Sequence, residues 1–181
     1  SSQMDVNELA PALLAMGDFL TASATALYGD KIQPQINVKA SFKTGSFGID
    51  LVLNTGFIEH IVSILASKET TASVNALNIL YFTGLLTKQG TKGLIQVLRQ
   101  LRGRKVTKVD LKENNAILTV DGEQIEVELE VLELLKNTEV RQALENTLTP
   151  LKREGITEFY SGTDTEIHET IAASEAGWYA F

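Results

Sequence analysis

A chain of 181 residues, 44% of them hydrophobic, can bury one core of ordinary size, which argues against intrinsic disorder. It contains no cysteine, so disulfides, thiolate metal sites and a cysteine nucleophile are excluded. The net charge of −7 conceals segregation: residues 1–87 hold 4 basic and 7 acidic residues, residues 88–112 hold 8 and 1, and residues 113–181 hold 4 and 15.

The first predicted element is a helix of roughly twenty residues, because Val6, Leu9, Ala10, Leu13, Leu14, Gly17, Leu20, Ala24 and Leu27 recur at helical spacing. Asp5 and Asn7 are the candidate caps; Pro11 is tolerated only near the first turn, which favours Asn7, and Gly29 supplies a stop. A hairpin follows. Ile36, Val38, Ala40 and Phe42 alternate with polar residues, and after Lys43-Thr44-Gly45-Ser46 the alternation resumes at Phe47, Ile49, Leu51 and Leu53.

Residues 57–102 predict two or three helices. Phe57, Ile58, Ile61, Ile64 and Leu65 make one stripe, and Thr70 or Thr71 caps a helix running through Val74, Leu77, Ile79, Phe82 and Leu86. A third, amphipathic helix sets Leu94, Ile95, Val97, Leu98 and Leu101 opposite Gln96, Arg99, Gln100 and Arg102, and Gly103 ends it. Val106, Val109 and Leu111, then Ile117 to Val120, then Ile125 to Leu129 predict three strands, with Asp121-Gly122 as a type I′ turn between the last two. Helix returns at Glu130–Leu135 and Thr138–Thr149, Pro150 and Gly155 interrupt it, and a short strand fits Ile156–Tyr160. The expected fold class is α+β, antiparallel β-hairpins packed on a helical layer, with one domain over residues 4–160 and a polar tail or linker over residues 161–181.

Four segments resemble a known family: Met4-Asp5-Val6-Asn7-Glu8-Leu9-Ala10-Pro11-Ala12-Leu13-Leu14; Thr44-Gly45-Ser46-Phe47 with Ile49-Asp50-Leu51; Leu101-Arg102-Gly103-Arg104-Lys105; and Pro150-Leu151-Lys152-Arg153-Glu154-Gly155-Ile156. Together they are similar to a family of uncharacterised proteins encoded in bacterial genomes and prophages, over about Met4 to Ile156. The resemblance brings no activity. It implies a central domain whose sheet lacks an upstream edge strand, and a tail leading to a small β-rich C-terminal domain that is missing here.

The chemistry-bearing patterns are sparse. His60 and His168 form no ligand-spaced pair, no Gly-x-Ser-x-Gly elbow or phosphate-binding glycine loop occurs, and the acids fit caps and solvated faces. No cofactor, metal, catalytic residue or small-molecule substrate is expected. The informative feature is the charge-free run Thr70–Thr87 beside the cationic stretch Lys88–Lys112. It predicts a non-enzymatic self-assembling or partner-binding protein that uses segment 57–102, with Phe57, Ile61, Ile79, Phe82, Leu94, Leu98 and Leu101 as core or interface. The basic patch Arg99, Arg102, Arg104, Lys105 and Lys108 supports two alternatives, a peripheral membrane effector using helix 91–105 and a nucleic-acid binder, although no aromatics are interleaved for base stacking. The basic and acidic blocks could also face one another, in the fold or between subunits. With no basic leader or long apolar run at Ser1-Ser2-Gln3, the expected setting is cytoplasmic, with the inner face of the membrane as the alternative.

Overall fold

The computed structural model describes residues 6–29, 37–43, 45–52, 72–163 and 165–181. Helix α1 (Val6–Tyr28) buries the stripe Met16, Phe19, Leu20 and Ala24 and stops where Gly29 takes φ +84° and returns its amide to the Thr25 carbonyl at 2.9 Å. It starts at Val6, ahead of the favoured Asn7 cap. Pro11 therefore lies past the first turn and leaves the carbonyl of residue 7 without its usual N–H partner. Strands β1 (Asn37–Lys43) and β2 (Ser46–Val52) form the expected hairpin, Asn37 opposite Val52 and Lys43 opposite Ser46. Ile36, the stripe from Phe57 to Leu65, His60 and the caps Thr70 and Thr71 lie outside the described residues.

Helix α2 (Ala72–Thr83) ends one turn earlier than its apolar pattern suggests. Gly84 takes φ +83°, and Leu85 and Leu86 are buried from the loop that follows. Helix α3 (Leu94–Leu101) begins after Gly93, whose amide donates to Gln96 Oε1 at 2.8 Å, and ends at Arg102 in the left-handed region. A meander follows: β3 (Lys108–Leu111), β4 (Asn115–Val120) and β5 (Glu123–Glu128). Asp121 (φ +49°) and Gly122 (φ +78°) make the turn between the last two, as a type I′ geometry requires. Helices α4 (Leu129–Lys136) and α5 (Thr138–Thr147) are joined at Asn137, whose side chain accepts the Val140 amide at 3.0 Å. Pro150 is absorbed in a 3₁₀ turn, Thr149–Lys152.

Residues 161–181 correct the expectation of a polar tail. Strands β6 (Glu158–Gly162) and β7 (Ile167–Ala172) and a 3₁₀ helix (Ala173–Tyr179) complete the chain. Ile171 and Tyr179 are fully buried. The segment looks polar because its buried set includes Ser161 and Glu169, which are satisfied by hydrogen bonds instead of by apolar contact: Ser161 Oγ donates to the Leu85 carbonyl at 2.8 Å.

The protein is an α+β fold with two mostly antiparallel sheets, ordered β1-β2-β6-β7 and β3-β4-β5. One join, β2 to β6, is parallel, with Gly48 opposite Tyr160. A Cβ at Gly48 would stand 2.1 Å from the Tyr160 ring, so the missing side chain is what lets that ring lie across β2 and hydrogen-bond the Ser41 hydroxyl. Phe47, Ile49 and Leu51 line the other face of β2, with the Phe47 and Phe159 rings 5.2 Å apart. Helix α1 packs on α5, α2 and α4, and α4 covers β4 and β5. One cluster of buried residues runs through both sheets and the helices from Met16 to Tyr179.

Candidate contact surface at an open sheet edge

Ile79 and Leu94 are 0% exposed, Leu98 2% and Leu101 4%, all within the chain's own core, and Phe82 packs against that core half-buried. Ile79, Leu94, Leu98 and Leu101 are therefore core, and Phe82 lies at its margin; Phe57 and Ile61 lie outside the described residues. Within the charge-free run Ile79, Leu80, Leu85 and Leu86 are buried, and Thr83, buried and polar, turns its hydroxyl to the Leu80 carbonyl at 3.1 Å.

Two of the five residues of the basic patch, Arg99 and Arg104, pair with acids of the C-terminal third. Arg99 Nη2 contacts Glu169 Oε1 at 2.6 Å and donates to the Thr170 carbonyl at 2.7 Å, and Arg99 Nε stands 3.9 Å from Glu175. Gln96 Nε2 donates to the second Glu169 oxygen at 2.5 Å, so the buried carboxylate is held by α3 on both sides. Burial alone would lower the Arg99 guanidinium, but Glu169, Tyr179 and Glu175 together raise it above its ordinary value. Arg104 pairs with Glu123 at 3.1 Å and Asp121 at 3.6 Å, and hydrogen bonds from Arg104 and Gln100 hold the Glu123 carboxyl below the usual range. Lys108 pairs with Asp110 at 3.5 Å. Only Arg102 and Lys105 of the five expected residues form no ion pair among the described residues. His168, expected in a loose tail, instead accepts the Thr87 amide on Nδ1 at 3.0 Å and ties β7 to the loop after α2.

An apolar surface does remain at β3. Among the described residues only β4 pairs with it, so its other side is an edge. Opposed residues of antiparallel strands share a face. Val109, Leu118 and Ile125 therefore form one row across the sheet, and Leu111, Ala116 and Val127 the next. Over β4 and β5 both rows are at most 3% exposed, under the helical layer; at β3 the cover ends, leaving Val109 44% and Leu111 69% exposed. Lys112 donates its amide to the Asn115 carbonyl at 2.8 Å. By alternation, the amides and carbonyls of Val109 and Leu111 face away from β4. Lys108 and Asp110 sit on the opposite face. Beneath Val109 the surface dips into a groove of about 300 Å³ between α3, α4, β4 and the C-terminal 3₁₀ helix, with Trp178 and Arg141 among its walls.

Sequence reasoning used Val109 and Leu111 as strand markers and missed their exposure, because alternation reports which face a residue takes and not whether that face is covered. Arg141 and Trp178 carried no pattern that could have singled them out. Among the described residues no group of three or more His, Asp or Glu could hold a metal ion. Helix α1 over Leu9–Tyr28 is long and apolar enough to cross a membrane by length and composition (mean hydropathy 1.3), and 39% of that stretch is buried within the protein. No family model, curated protein or solved structure matches the chain.

Proposed function

We propose that the chain is a cytoplasmic, non-enzymatic self-assembling protein whose copies pair edge to edge through β3. The observation that carries this reading is the end of the inner apolar face, left uncovered on a strand with outward-facing backbone groups. Edge strands with these features add a strand, and a second copy is the partner that the charges favour. A two-fold pairing must oppose residues of the same face, so its centre falls on a residue. Centred on Asp110, it would set Asp110 against itself and Lys108 against Lys112, both repulsive. Centred on Leu111, it would run into the bend after Lys112. Centred on Val109, it sets Lys108 against the partner subunit's Asp110 and Leu111 against the partner subunit's Thr107. The short strand and its lysines then select a register instead of forbidding association.

Light scattering over about 10–100 μM, the range of ordinary reversible association, should give a dimer for the native chain. Val109→Pro removes an N–H that points away from β4, so it spares the β3–β4 ladder while cutting the intermolecular one. It should be monomeric, as should Leu111→Lys. A native monomer throughout, or a dimer indifferent to both changes, would defeat the proposal.

A further inference from the structure

We propose that the groove beside Trp178 binds a carboxylate carried on a medium-length apolar body, with Arg141 recognising the anion. The walls supplied by Leu98, Leu101, Val106, Leu118, Leu132 and Leu135 are aliphatic, and about 300 Å³ lies at the small end of ligand pockets. Arg141 reaches this groove from α5. Its Nη1 donates to the Leu135 carbonyl at 3.2 Å and its Nη2 to the Ala180 carbonyl at 3.0 Å, while the Phe181 ring centroid lies 5.8 Å away. These contacts fix the guanidinium without neutralising it. Nε is buried and makes no hydrogen bond, and no carboxylate lies within ion-pair distance among the described residues. Arg99 and Arg104, nearby, each hold carboxylates.

A half-buried cation without a counter-charge is an unfavourable arrangement that an incoming anion relieves. Burial pushes the Arg141 guanidinium down from its ordinary value, with Glu145 opposing. Arg104 and Lys136 also line the groove, but Arg104 is paired with Glu123 and Lys136 with Glu133, so Arg141 is the lining cation without an ion pair among the described residues, which suits one negative charge on an apolar chain. A phosphate dianion would bring a second charge with no partner. Val109 borders both the groove and the β3 edge, but Leu111 does not line the groove, so the two sites can be perturbed separately.

Trp178 is the single tryptophan of the chain and lines the groove, so its fluorescence reports occupancy. Titration with octanoate should give a saturable change. Acetate, lacking the apolar body, and octanol, lacking the charge, should each bind at least roughly tenfold more weakly. Arg141→Met should weaken octanoate roughly ten- to a hundredfold, and Arg141→Lys, which keeps charge but loses the planar fork, should fall between. Leu111→Lys should bind octanoate like the native chain whatever it does to assembly, which separates the two proposals. Should Arg141→Met fail to fold, the comparison of octanoate with octanol on the native chain decides alone. No saturable response to octanoate below about 1 mM, equal binding of octanol, or native affinity in both Arg141 variants overturns the assignment.

Discussion

Reversing the charge of Lys108 tests the proposed pairing at its most specific point. In the Val109-centred register each dimer contains the contact between Lys108 and the partner subunit's Asp110 twice. An opposite-charge pair directly across antiparallel strands contributes about 0.2–1 kcal/mol, and like charges there cost a similar amount. Lys108 is 65% exposed and Asp110 42%, which places the contact near the low end of that range. Lys108→Glu converts two attractions into two repulsions, so dimerisation should weaken by about 1–2 kcal/mol, or roughly five- to thirtyfold in Kd. Asp110→Lys should do the same. The double exchange Lys108→Glu with Asp110→Lys restores opposite signs within each chain and across the edge, and should return Kd close to native. Lys112→Glu should matter little, because Lys112 then faces the partner subunit's Val106. Sedimentation equilibrium at low salt measures all four, and the differences should shrink by 0.5 M salt as screening shortens. A double exchange as weak as either single change would refute the register. Damage from Lys112→Glu with little effect of Lys108→Glu would place the centre on Leu111, where Lys112 faces the partner subunit's Asp110.

Two further predictions concern the clamp that positions the C-terminal segment. Burial raises the Tyr179 hydroxyl to about 12, with Arg99 opposing and Glu175 and Glu169 adding to the rise, and that hydroxyl, buried beside Arg99, makes no well-formed hydrogen bond among the described residues. Its folded pKa lies above the unfolded value, so the native state holds the proton more tightly: the associated stability is complete below pH 10 and is lost as pH rises from about 10 to 12. Tyr179→Phe should flatten that alkaline loss in urea denaturation and leave stability at pH 7 unchanged or about 1 kcal/mol higher; a loss of stability at pH 7 would show a hidden partner. Glu169→Gln removes the charge behind the contacts from Arg99 and Gln96. Because Arg99 is one-third exposed, the cost should be about 2 kcal/mol, a fall of about 4–8 °C in Tm, and a change under about 0.5 kcal/mol would show that the pair contributes little.

The parts of the fold that could be read in advance are those where a solvated face alternates with a buried one. Glu126 and Glu128 between Ile125 and Val127 marked β5, and Asp121-Gly122 marked its turn, because local geometry alone decides them. Strand β7 was hidden because its pattern is inverted: Ile167 is 49% exposed whereas Glu169 is 8% exposed and held by α3. The parallel join of β2 to β6 depends on Gly48 meeting Tyr160 across more than a hundred residues, which no local period records. The same holds for the candidate surface. Composition found the apolar run and the basic patch, but whether an apolar residue is core or surface depends on where the helical layer ends, and that is a property of the assembled sheet.

The segregation of charge along the chain has its explanation in the assembled clamp. Arg99 and Arg104 on one side, and Glu169, Glu175, Asp121 and Glu123 on the other, come from blocks that meet only when the C-terminal third folds back on α3. Of the eight basic residues in 88–112, Arg99, Arg104 and Lys108 are ion-paired, and these are three of the five in the expected patch. Of the expected patch only Arg102 and Lys105 remain unpaired among the described residues, and two phosphate contacts would give duplex DNA a log–log salt slope of only about −2. The surrounding carboxylates would reduce even that attraction at a nucleic acid or an anionic membrane. The uncovered end of the apolar rows at Val109 and Leu111 has no such partner among the described residues, which is why we propose assembly at β3 and not on the basic face.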